Sequence, residues 1–172
     1  MLSTTREVTT VAMLTAVGIA LFVIESFIPA PFPFLKIGFA NISSVITLFL
    51  LGAPQMFMVV VLRVVVGSIL VGSVFTPGFL LAISGGLTSA LAMGLAKGLT
   101  KSAFSPVGIS MIGSLTHVVV QLLLVMLLYV QNPTLLFLLP LLLLSGAIGG
   151  FVVGWISLRL LPLMRSLRLY RG

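Results

Sequence analysis

A few polar side chains stand inside otherwise apolar sequence, and they are the ones equipped to do chemistry. Arg63 interrupts the run Val59-Val60-Val61-Leu62-Arg63-Val64-Val65-Val66. At 1.5 Å per residue it lies roughly 12 Å into the apolar segment that begins at Gln55, near the middle of a bilayer. A central arginine costs about 2.5–3.5 kcal/mol on insertion scales, so it must face protein or a wet cavity and have a partner. Two readings stay open for it: a charge that holds two helices together, or a contact for an anionic or polar ligand. Glu25 is the only acidic residue beyond the first seven. Its expected depth differs from that of Arg63, so no direct salt bridge between them is assumed. His117 and Gln121 are four apart and share one helix face. In a membrane a ring nitrogen and an amide must find hydrogen bonds without water, which moves both from ordinary core residues toward ligand contacts. Asn41 and Lys36 add polar groups toward the same outer half, and together these residues read as a cavity that opens outward.

The missing residues exclude as much. The chain has no Asp and two Glu, so no acidic cluster is expected to hold Mg²⁺ around a diphosphate. One His and no Cys exclude an ordinary zinc site and any disulfide. No Gly-rich loop ends in Gly-Lys-Ser/Thr, so the chain is not expected to hydrolyse ATP through such a loop. Serines such as Ser84 and Ser114 lack an acid-base partner set. The expectation is a protein that binds without catalysing and carries no cofactor.

The elements that must position these residues are membrane helices. Hydrophobic residues make up 60% of the 172 and charged ones 6%, against about a quarter charged in a typical soluble domain. Pro and Gly punctuation predicts an all-α polytopic membrane protein, one transmembrane domain over 1–172, with spans at about 8–28, 41–53, 55–75, 79–96, 107–130 and 134–161. The second is short for a full crossing. The first is too long for a secretory signal, lacks a small-residue cleavage pattern and leads into further spans. Lys97 to Pro106 reads as a polar, basic loop. With six spans, Arg6, Lys97, Lys101, Arg159, Arg165, Arg168 and Arg171 fall on one side and Lys36 alone on the other, which predicts a cell-membrane protein with both termini cytoplasmic. The net charge of +7 accompanies apolar spans and no nucleic-acid-binding module, so topology and attraction to membrane lipid account for it, with no nucleic-acid partner.

Two stripes of small residues recur every fourth position: Ala12, Ala16 and Ala20 in the first span, Gly146, Gly150 and Gly154 in the last. Such stripes permit close approach of backbones. The glycines suit packing within the protein. The alanines suit either internal packing or the docking of another membrane subunit. No inverted repeat links the first three spans to the last three, which weakens a self-sufficient secondary transporter.

Ala12-Met-Leu-Thr-Ala16, the Pro-rich turn followed by Leu35-Lys36-Ile37-Gly38-Phe39-Ala40-Asn41, the phrase Leu62-Arg63-Val64-Val65-Val66-Gly67-Ser68, the pair Gly85-Gly86 and the stretch from His117 to Gln121 together resemble the Gx transporter family. That family, also called heptaprenyl diphosphate synthase component I, is similar to the substrate-binding S components of energy-coupling factor (ECF) transporters. The resemblance implies a six-helix, S-component-like bundle that captures a small molecule from outside, often a vitamin. It implies as partners a transmembrane coupling subunit and two cytoplasmic ATPase subunits. It gives Ala12, Ala16 and Ala20 a docking role and residues 29–40 the role of a lid. The word synthase meets a chemical objection, since prenyl chain elongation needs Mg²⁺ held by aspartates; a prenyl or quinone-related ligand remains open. The rival readings are a stand-alone carrier or channel and an accessory membrane subunit of prenyl or quinone synthesis.

Overall fold

A computed structural model describes residues 4–28, 38–100 and 104–166. Over them the chain forms six α-helices: α1 (Thr4–Phe27), α2 (Asn41–Leu50), α3 (Ala53–Val71), α4 (Pro77–Thr100), α5 (Pro106–Leu124) and α6 (Leu139–Ser166). A π-helical turn, Val125–Val130, prolongs α5, and a 3₁₀ segment, Pro133–Leu138, leads into α6. Prolines mark the starts. Pro54, Pro77, Pro106 and Pro133 all lie in a first turn, where a missing N–H breaks no intrahelical bond. Glycines mark two of the stops, with Gly52 after α2 at φ 108° and Gly72 closing α3 at φ 71°.

Five segments are long and apolar enough to cross a membrane: Thr5–Phe27, Ala53–Val71, Pro77–Thr100, Pro106–Val130 and Pro133–Ser166. The sixth helix, α2, has 10 residues, or about 15 Å of rise against a hydrocarbon core about 30 Å thick. Two hydrogen bonds nevertheless carry the chain back over the depth of α1. At one end Glu25 accepts from the backbone of Phe39, and at the other Gln55 donates to Glu7. Glu7 and Glu25 are separated by about 27 Å of helix, so residues 39–55 traverse that distance as a short helix plus the turn through Gly52. α2 is buried almost throughout, from Ile42 to Leu48 and again at Leu50, with the small polar residues Ser43, Ser44 and Thr47 enclosed along with the apolar ones. It packs against α1, α3, α5 and α6, while α4 packs between α3 and α5.

The end at which Glu7 meets Gln55 is the basic end. Lys97 lies there with its Nζ 3.7 Å from the centre of the Phe49 ring, and Arg165 closes α6 beside the apolar cluster that joins Leu48, Phe49, Leu161 and Met164. The far half of the bundle carries Glu25, Asn41 and Gln121.

Several boundaries differ from the sequence reading. α3 stops at Val71, short of the expected end near 75, because Gly72 takes the left-handed conformation that caps it. α4 continues through Lys97 to Thr100, so the basic loop is shorter than expected: Lys97 sits in the last turn, where a cation complements the helix dipole and finds an aromatic face. α6 runs through Pro162 to Ser166, since a proline one turn from the end costs one intrahelical bond and leaves the remaining turn intact. The approach to α6 from Pro133 is 3₁₀ rather than α-helical.

The glycine stripe of α6 packs internally, as its spacing suggests. A Cβ on Gly150 would lie 2.9 Å from Met111 Cα, and one on Gly154 only 2.5 Å from Val107 Cα, so α6 touches the backbone of α5 directly. Gly98, by contrast, has open space around it. Replacing Gly154 with Leu should therefore destabilise the detergent-solubilised protein by about 1–3 kcal/mol or more, through forced separation of two backbones. Gly98→Ala should leave the thermal unfolding midpoint unchanged or raise it; equal midpoints for the two variants would refute the close α5–α6 contact.

Candidate functional site

Glu25 is the first polar group to explain, because a carboxylate at the end of α1 is 7% exposed. Its two oxygens accept from the backbone N–H groups of Phe39, at 2.6 Å, and Ala40, at 3.3 Å. These amides open α2, so the carboxylate supplies negative charge where the helix dipole is positive and satisfies donors that a helix start leaves free. Glu25 also lies within electrostatic reach of Arg63, without pairing with it directly.

Arg63 projects from α3 into the bundle and is 4% exposed. Its Nη2 donates to Asn41 Oδ1 at the first residue of α2, while Nε and Nη1 are buried and have no hydrogen-bond partner. The guanidinium stem passes α1 at Gly18, where a Cβ would lie 3.3 Å from Arg63 Cδ and 2.5 Å from Ser43 Oγ. Glycine at position 18 is thus what lets three helices converge on the arginine. A guanidinium with donors on three nitrogens and one protein acceptor is an anion-binding group with unused capacity.

His117 and Gln121 share a face of α5, as their spacing requires, and that face lies against α4. The imidazole packs on Gly85, where a Cβ would come 2.9 Å from its Nδ1, and that nitrogen is buried without a hydrogen-bond partner. One turn further, Gln121 Nε2 makes a long 3.4 Å bond to the Leu81 carbonyl. The structure thus sorts the expected ligand contacts into two groups. Glu25, Asn41 and Arg63 form one network across α1, α2 and α3; His117 and Gln121 line the α4–α5 contact. Lys36 and most of the expected lid lie outside the described residues. Ala12, Ala16 and Ala20 face outward from α1, whereas Val11, Leu14, Thr15 and Gly18 turn inward.

Several hydroxyls belong to the interior although the sequence did not single them out. The side-chain oxygens of Thr15, Ser44, Ser68 and Ser89 are buried without partners. Membrane helices ordinarily hide such groups by bonding them to a carbonyl one turn back, as Thr88, Thr116 and Ser157 do here. Sequence does not tell the two kinds apart. A small chamber of about 10 Å³ lies among Asn41, Ser89, Met93, Ser110, Ser114 and Gly150. Among the described residues no cluster of three or more His, Asp or Glu could hold a metal ion.

The sequence profile of the family described as heptaprenyl diphosphate synthase component I matches residues 14–160. No curated protein matches the chain, and no solved structure does.

Because Glu25 holds the start of α2, Glu25→Ala should lower stability by about 1–3 kcal/mol, the cost of leaving buried donors unpaired. Glu25→Gln, which keeps one acceptor oxygen, should lose less. Thermal unfolding in detergent measures both, and an Ala variant as stable as the parent would disprove the anchoring role.

Proposed function

The chain belongs to the heptaprenyl diphosphate synthase component I family, and from that premise we propose that it is the substrate-capturing S subunit of an ECF-type importer. In this reading it is a multi-pass protein of the cell membrane, with its basic end and both termini in the cytoplasm. The observation that carries the reading is Arg63: a permanent cation buried in the bundle, held by Asn41 through one nitrogen, with two nitrogens unpartnered. Structural ion pairing would consume those donors. A guest with a carboxylate, phosphate or carbonyl group supplies the missing acceptors and repays the cost of burying the charge. His117 and Gln121 contact the same guest from α5, and Lys36 meets it from the loop before α2. The apolar walls suit a vitamin-like, quinone-related or prenyl body.

The reaction in the family's name does not fall to this chain. Elongation of a prenyl diphosphate requires Mg²⁺ held by aspartates, and the sequence contains none. Capture without chemistry leaves energy to come from elsewhere, namely from a transmembrane coupling subunit driven by two cytoplasmic ATPases. The outward alanines of α1 fit that partnership. Ala12, Ala16 and Ala20 leave a shallow surface on which a second helix can lie closely.

Two substitutions separate the roles. Ala16→Trp should abolish co-purification with the coupling subunit while the ligand found by native mass spectrometry of the gently purified chain is still retained. Arg63→Ala should lose that ligand, with an affinity loss of about 2–4 kcal/mol for a buried charged hydrogen-bonded contact, while still reaching the coupling subunit. A folded Arg63→Ala protein that keeps its ligand would make the arginine a helix-holding charge. Uptake by the chain alone in proteoliposomes would favour a stand-alone carrier, and co-purification with a soluble synthase an accessory subunit.

A further inference from the structure

The small chamber at the crossing of α2, α4, α5 and α6 is built from groups that would be an odd choice for a dry core. Ser89 projects into it from α4 with its hydroxyl buried and unpartnered, at 1% residue exposure. Ser110 and Ser114 line it from α5, one turn apart. The Ser114 hydroxyl donates to the Gly146 carbonyl at 2.7 Å, so its oxygen still presents lone pairs. Asn41 lines it from α2 and is the residue that holds Arg63. Glycines let the walls close tightly around it, leaving room for nothing larger. A Cβ on Gly113 would lie 2.6 Å from Met93 Sδ and 3.0 Å from Ser89 Oγ, and one on Gly150 would lie 2.9 Å from Ser114 Cβ.

We infer that this chamber is a binding site for a single water molecule, bonded to Ser89, Ser114 and the Asn41 carboxamide. Size and chemistry point to the same occupant. The volume of about 10 Å³ is that of one water centre, and a buried water typically finds about three polar partners. An apolar occupant would leave Ser89 unsatisfied. A polyatomic anion does not fit, and a metal cation has no carboxylate there and meets the guanidinium already bonded to Asn41. The water completes the one buried hydroxyl that α4 contributes at this level. It also joins α4 and α5 to Asn41 and Arg63, whose hydrogen bonds otherwise run only among α1, α2 and α3. Whatever guest the bundle captures, Asn41 stands between that arginine and the water.

Met93 and Met56 both belong to the buried apolar cluster, at 2% and 0% exposure, and both carry an oxidisable sulfur, but of the two Met93 alone lines the chamber. Pulsed X-ray radiolysis of the full-length protein in nanodiscs generates hydroxyl radicals from bound water at the site where it is held, and mass spectrometry then reads side-chain oxidation. Met93 should be oxidised several-fold faster than Met56. Ser110→Val, which fills the space with a methyl group and removes a polar wall, should bring Met93 down to the rate of Met56 while the protein remains monodisperse. A Met93 rate no higher than that of Met56 in the parent protein would overturn the proposal without recourse to any variant. So would undiminished oxidation of Met93 in a folded Ser110→Val protein.

Discussion

Hydrocarbon offers no hydrogen bonds, and that constraint decides where almost every informative residue of this protein can be. A polar group in a membrane bundle must be bonded to protein, to trapped solvent or to a guest. Glu25 meets the demand with two backbone amides, Thr47 and Ser157 with carbonyls of their own helices, and Ser114 with a carbonyl of the neighbouring one. Arg63 meets it only in part. Its single bond to Asn41 fixes the guanidinium without exhausting it, and the two remaining nitrogens are the observation on which the proposed binding function stands.

The same constraint accounts for α2. Ten residues are too few to cross alone, yet the chain crosses there, because Gly52 turns it and the start of the helix is tied to Glu25. Enclosed by α1, α3, α5 and α6, the helix starts beside the end of α1, and its first residue, Asn41, is met there by the long side chain of Arg63 reaching from α3.

Much of this layout was legible in the sequence because it depends on local rules. Proline cannot donate, so Pro54, Pro77 and Pro106 announced helix boundaries before any packing was known, whereas Gly72, which ends α3, was read through. Pro162 misled because a proline near a helix terminus forfeits too little to stop it. Arg63 and Glu25 were conspicuous as rare charges among apolar residues, but their partners were not. Nothing local says that Glu25 finds the amides of Phe39 and Ala40, or that Asn41 reaches back to α3. The common face of His117 and Gln121 followed from spacing, whereas its direction, toward Gly85 and Leu81, was set by packing between helices. Ser89 escaped notice for a related reason: a serine that bonds its own helix and one that does not are identical in sequence.

Two surfaces with different demands coexist on α1, as the proposed capture role requires. Its inner face carries Thr15 and Gly18 toward Arg63 and the buried hydroxyls, while Ala12, Ala16 and Ala20 look outward. Residues two positions apart on a helix point in nearly opposite directions, so Ala16 and Gly18 belong to different environments while moving as one rigid body. Glu25, near the end of the same helix, ties that body to α2 and hence to Asn41. Arg63 is therefore joined to the helix that carries the alanines by a short chain of hydrogen bonds, through Asn41, the start of α2 and Glu25.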